Sequence, residues 1–249
     1  MSRDPLKELS KMEGQIHQLN EPVPIEFQKK YIQTSIKEKL SKNIEAFHHY
    51  DPIVAEKILY SRLSQKVDKI EALIMLGGSG KVDSFRVLED FLEVVKPGEL
   101  RYWALMAQFE CKVSIFGNLL DETQVAITSG LGGRDKLMRF MALFISDNLE
   151  PFKDFQITQM KEELTFRIEE SSGEIEKFKV GPNWLVCTLL YPLKSDIALV
   201  IKKFVDECNQ YGHFMAKDCL LTNANVIDKE VIDETIRKYQ AKRGANSVD

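Results

Sequence analysis

Nowhere does this sequence hold an uninterrupted apolar run near the ~18 residues that a membrane-spanning helix needs. Its longest, Trp184 to Leu193, stops after ten, so no span is expected. Cysteine is scarce. There are four, Cys111, Cys187, Cys208 and Cys219, without C-x-x-C spacing, and three of them sit inside apolar runs. Buried free thiols in a reducing, cytoplasmic compartment are the expectation. Zinc is disfavoured as well. The four histidines, His17, His48, His49 and His213, lie far from any cysteine pair, and neighbours such as His48 and His49 point about 100° apart on a helix. They read as a helix end meeting solvent. Charge of one sign is missing too: 34 basic residues face 38 acidic ones, for a net charge of −4 and a pI near 5.7. No basic field points to nucleic acid. The first residues, Met1 to Leu9, carry charges every few positions and lack the apolar stretch of a secretory signal. Catalytic signatures are absent as well. No G-x-S-x-G elbow, H-E-x-x-H helix or Cys-His pair in recognisable context occurs, so the sequence assigns no catalytic residue, no metal and no cofactor.

What is present is an apolar content of 44% in 249 residues, enough to fill one large core or two ordinary ones. The most informative feature is a near-repeat at an offset of 32 residues between Asp51 and Phe116. It lays Ile53 over Phe85, Ala55 over Val87, Leu59 over Phe91, Leu63 over Val95, and Ala72-Leu73-Ile74 over Ala104-Leu105-Met106. Helical spacing surrounds it. Leu6, Leu9, Met12, Ile16 and Leu19 predict a first amphipathic helix that stops before Glu21-Pro22-Val23-Pro24. Phe27, Tyr31, Ile32, Ile36, Leu40, Ile44 and Phe47 predict one long helix from Ile25 to Phe47, with a lysine-rich polar face. Asp51-Pro52 reads as a cap and first turn, because Asp accepts unpaired backbone N–H groups and proline has none to leave unpaired. That helix reaches Leu63, and the next spans Gln65 to Leu76, where Gly77-Gly78-Ser79-Gly80 halts it. Asp83-Ser84 should cap a helix to Val95, and Glu99 to Phe116 should form the last.

With Ile70 to Gly77, Phe85 to Leu92 and Tyr102 to Ala107 as its carriers, the segment 51–116 resembles HEAT-type helical-hairpin repeats. That resemblance implies a stack of helix pairs used for binding proteins, with no catalytic residues to carry over.

After Asn118 the pattern changes. Val125 to Ile145 holds two β-prone runs around a glycine-rich turn, which reads as a β-hairpin. Lys153 to Glu170 is helical, Ile175 to Val180 alternates as a short strand, and Trp184 to Tyr191 is a continuous apolar run, the mark of a strand covered on both faces. A helix over Asp196 to Tyr211, a strand over Phe214 to Thr222 and a helix over Asp228 to Tyr239 follow. The expected class is α+β: a helical domain at 1–118, an α+β sandwich at 119–243 with a mixed sheet of about 4–5 strands covered largely on one side, and a tail at 244–249.

Two glycine clusters invite a phosphate. Gly77-Gly78-Ser79-Gly80-Lys81 fails as a P-loop, since Met75 stands where a glycine is needed and Val82 where a Ser or Thr is needed. The turn with Gly130, Gly132, Gly133, Arg134 and Lys136 is better placed, between two strands, and could form an anion-binding nest; hairpin turns also use glycine simply to reach positive φ. Carboxylate pairs Glu162-Glu163, Glu169-Glu170 and Asp206-Glu207 read as solvated faces. Trp103 and Trp184 read as core. Phe140 and Phe144, flanked by Arg134, Lys136 and Arg139, are the one aromatic pair that an exposed, RNA-binding sheet face could use.

The expectation is therefore an adaptor or regulatory protein that binds a protein partner through its helical half. The alternative is a small-molecule or nucleotide-binding protein, or an enzyme, with its anion site at 130–136.

Overall fold

A computed structural model describes residues 16–120, 122 and 124–246. Two compact units divide them, the first reaching Gly130 and the second starting at Leu131. In the first, a short strand β1 (Ile16–Gln18) precedes helices α1 (Ile25–Lys42), α2 (Ile44–His49), α3 (Pro52–Tyr60), α4 (Lys66–Ser79), α5 (Val82–Val94) and α6 (Glu99–Leu120), and strand β2 (Val125–Ile127) follows. Most of the predicted first helix lies outside the described residues. Its end, Ile16 to Gln18, is a strand that pairs in parallel with β2, so β2 does not form a hairpin with the strand after it. The long predicted helix is broken at Asn43, whose φ of 63° leaves the helical region.

Local chemistry explains the boundaries. The Asp51 side chain accepts from the Ile53 N–H at 2.9 Å with Pro52 behind it. Asp83 and Ser84 lie within the first turn of α5, whose cap is Lys81. Gly77 and Gly78 do not halt α4; it continues to Ser79, and Gly80 ends it with a left-handed φ of 62°. The two glycines serve close packing instead. A β-carbon at Gly77 would stand 2.7 Å from the Tyr31 hydroxyl and 3.0 Å from the Ala107 α-carbon.

The core follows the near-repeat in its inner helices. Ala72 to Leu76 of α4 and Trp103 to Ala107 of α6 are buried without interruption, which is what a helix shows when neighbours cover it all round. Ala55, Leu59 and Phe91, on the outer helices α3 and α5, are buried against them. Ile53 and Leu63 are exposed.

The second unit holds β3 (Gly133–Arg134), β4 (Leu137–Ile145), α7 (Asp154–Glu170), β5 (Glu174–Val180), β6 (Trp184–Pro192), α8 (Ile197–Asn209), β7 (Leu220–Thr222) and α9 (Lys229–Asn246). The class is α+β. Its sheet runs β3-β4-β6-β5, with β7 also on β4, and every pairing is antiparallel rather than mixed. The long predicted strand before Asn223 shrinks to β7 and a bridge from Met215 to Ser146. Taking β4, β5, β6 and β7 as the main strands, the order β7-β4-β6-β5 with α7 and α8 as connections is the split β-α-β-β-α-β connectivity of ferredoxin-like sheets.

Alternation sorts the side chains of the sheet. Ala142 and Phe144 of β4 and Leu185, Cys187, Leu189 and Tyr191 of β6 meet α7 and α8. Met141, Leu143, Ile145 and Val186 meet Ile227 and Ile232 at the start of α9. The second face is thus partly covered as well, and β6 reads as continuously apolar for that reason. Phe144 packs edge-on against Phe204 at 5.0 Å between centroids, so the aromatic pair of β4 faces helices and forms no open platform.

Replacing Gly77 with alanine is expected to lower the stability of the helical unit by about 1–3 kcal/mol, overpacking outweighing the ~1 kcal/mol of helix propensity gained. Urea unfolding followed by Trp103 fluorescence in a Trp184→Phe background reads it. An unchanged midpoint would refute the close approach.

Candidate binding groove

Helix α1 carries apolar side chains on more than one face. Tyr31 and Ser35 turn inward and are buried, while Ile32, Ile36 and Leu40, in the row that the buried Gln28 begins, are 47%, 53% and 83% exposed. Spaced four residues apart, the three lie along one side of the helix. Beside this row the surface dips into a groove of ≈ 280 Å³ whose apolar walls are Ile32 and Ile36 of α1, Met106, Phe109 and Val113 of α6, and Ala126 of β2.

A carboxylate lies in the same groove. Glu110 of α6 accepts from the Tyr31 hydroxyl at 2.6 Å and from the Ser35 hydroxyl at 3.1 and 3.2 Å, and it pairs with the Lys39 ammonium. Residues 31, 35 and 39 again follow the four-residue step, so one helix row delivers all three donors to one anion. Three donors offset the cost of withdrawing a carboxylate from water. Burial, reinforced by the adjacent Glu110 carboxylate, pushes the Tyr31 hydroxyl well above its ordinary pKa, so Tyr31 stays a neutral donor. Gln28 ties the same helix to its surroundings by donating to the carbonyls of Val23 and Ser129.

A second anchor holds the N-terminal ends. Glu99 receives Lys30 of α1 at 2.9 Å and Lys66 of α4. These lysines lower its pKa to about 2.

The residues singled out by sequence are distributed otherwise. Gly130 closes the first unit, whereas Gly132, Gly133, Arg134 and Lys136 belong to the β3-β4 hairpin. Its turn residues Asp135 and Lys136 have φ of 48° and 67°, as a tight two-residue turn requires, while Gly132, before β3, has φ of 68°. Arg134 pairs with Glu174, and Arg139 forms a double hydrogen bond to Glu176 at 2.6 and 2.8 Å. The carboxylates of the predicted pairs are brought together only in part: Glu162, Glu163 and Glu207 share an open cleft with Phe155 and Tyr211, with Arg167 between Glu163 at 2.5 Å and Glu207 at 3.5 Å. Glu169, Glu170 and Asp206 are exposed elsewhere. Burial raises the thiols of Cys187 and Cys208 to about 12 and that of Cys111 to about 11. His48 and His49 end α2 in solvent. Among the described residues, no group of three or more His, Cys, Asp or Glu side chains is placed to hold a metal. No helix among them is long and apolar enough to cross a membrane.

Sequence reading missed the groove because it took Tyr31, Ile32, Ile36 and Leu40 as a single apolar stripe. A finer signal was available: the set spreads over more than one helix face, and Tyr31, Ser35 and Lys39 share the four-residue step.

Tyr31→Phe should cost about 1.5–3 kcal/mol, the worth of a hydrogen bond to a buried charged group. Chemical denaturation checks it, and a neutral result would mean that Glu110 does not depend on Tyr31. The Glu99 pairs give a pH signature. A carboxyl depressed in the fold contributes stability above its unfolded value of about 4.3, and that contribution disappears as pH falls toward about 2. Because the site is open to solvent, the loss should stay under about 1 kcal/mol, and the stability of Glu99→Gln should fall less steeply over that range. No family model matches this chain, and no curated protein matches it.

Proposed function

We propose that this chain is a cytoplasmic adaptor or regulatory protein whose helical unit binds another protein in the groove between α1, α6 and β2. The observation that carries the reading is the row Ile32, Ile36 and Leu40, left exposed beside an apolar groove. A helix inside a helical unit ordinarily buries its aliphatic side chains, and contiguous exposed aliphatics beside a concavity are a common mark of a partner site. The charged groups of the groove, Glu110 and Lys39, pair with each other, and Tyr31 and Ser35 donate to the same carboxylate, so an apolar partner surface would leave no buried charge unpaired. The four free cysteines fit a reducing location.

Native-lysate affinity purification tests the reading against the Ile36→Asp variant. A defined protein partner should co-elute with the wild type in fixed proportion and be lost from Ile36→Asp, whose circular dichroism stays unchanged because residue 36 is exposed. A strictly monomeric protein that retains nothing, or a partner indifferent to Ile36→Asp, overturns it.

A further inference from the structure

Resting on that reading, we infer that the occupant of the groove is an amphipathic helix of a second protein, with carboxylates bordering its apolar face. The shape of the site argues for a helix. Ile32, Ile36 and Leu40 mark out a straight ridge about 12 Å long at 1.5 Å per residue, beside a groove floored by Met106, Phe109 and Val113. A partner helix laid along it meets a ridge and a groove together.

Charge argues for the acidic border. Helix α1 holds five lysines, at 29, 30, 37, 39 and 42, against two glutamates, 26 and 38, a balance of +3 in a chain whose net charge is −4. Three of the lysines are spent inside the unit, Lys30 on Glu99, Lys39 on Glu110 and Lys42 on Glu38 and Glu71. The other two are not. Lys29 meets only the exposed Glu26 within its own helix, and Lys37 has no ion pair among the described residues. Eight residues separate Lys29 from Lys37, as they separate Ile32 from Leu40. Both stand in the row one position beyond the apolar one, across it from Tyr31, Ser35 and Lys39, so their long side chains border the ridge where they would meet carboxylates on the outer edge of a helix laid over ridge and groove.

The same observations weigh against other occupants. A second copy of α1 laid antiparallel on the first would set Lys29 and Lys37 against their own duplicates. A lipid surface suits a convex face, whereas this row borders a concavity.

The test uses the full chain and two fluorescein-labelled synthetic helices of about 18 residues, with the same leucine face and either glutamate or lysine borders. Fluorescence anisotropy should show the glutamate peptide binding at least about tenfold more tightly at low salt, as two exposed charge pairs allow, with the preference shrinking as salt rises. Lys29→Glu with Lys37→Glu should reverse the order, and Ile36→Asp should abolish both. Equal binding of the two peptides that Ile36→Asp still abolishes would overturn the acidic border and leave the groove reading standing. Binding untouched by Ile36→Asp would overturn both. Failure of both peptides to bind, Ile36-dependent self-association in sedimentation, or Ile36-dependent binding to phosphatidylserine vesicles in their place, each overturns this inference.

Discussion

The rotation of α1 about its own axis is set by one carboxylate. Once Tyr31, Ser35 and Lys39 have all turned toward Glu110, the adjacent row of Ile32, Ile36 and Leu40 is set to one side of them, along the edge of the groove, and is left exposed beyond the buried Gln28. Turning the helix inward to bury those aliphatics would strip three donors from a carboxylate only 20% exposed, a cost that opposes the gain from burying them. The arrangement itself depends on Gly77, since any β-carbon there would occupy the space of the Tyr31 hydroxyl. A missing methyl group on α4 thus permits the hydrogen bond that orients α1 and leaves its aliphatic row in water.

The second unit is organised by a different constraint, the alternation of side chains across a sheet covered on both faces. Its inner strand β6 has no polar side to offer, and four strands with two connecting helices account for its connectivity. Where the sheet does meet solvent, at β5, charges take over. A register irregularity between Ile175 and Lys177 leaves Glu176 to receive Arg139 of β4, and Arg134 meets Glu174 nearby. Of the two cations of the glycine turn, Arg134 thus has a structural occupation. Buried thiols fit the same picture: Cys187 and Cys208 behave as small apolar side chains, and their elevated pKa values keep them protonated.

The proposed binding through the helical unit would rest on a surface, not on a set of reacting groups. The charged side chains of the groove satisfy each other, so what the surface there presents to solvent is chiefly shape, aliphatic area and two flanking lysines. Such a surface recognises another folded or folding segment by burying area and matching charge.

Elements whose cause is local were legible in the sequence. Asp51-Pro52 marks a helix start because both residues act on the backbone beside them, the central helices α4 and α6 appear as matching apolar blocks, and the run from Trp184 announces a strand covered twice. Failures came where the deciding contact is distant in sequence. Ile16 to Gln18 continues a helical pattern yet becomes a strand because Val125 to Ile127 is there to pair with it. Asn43 breaks a helix that periodicity would continue, and Gly77 reads as a stop although its role is the space it leaves for a tyrosine 46 positions earlier. By itself, then, the sequence determined the division into a helical part and an α+β part, the main elements and the composition of their cores, all of which follow from local propensity and periodicity. Only the tertiary structure decided which aliphatic row of α1 stays outside, because that choice is made by a hydrogen-bonded carboxylate on another helix, and no pattern along α1 alone contains it.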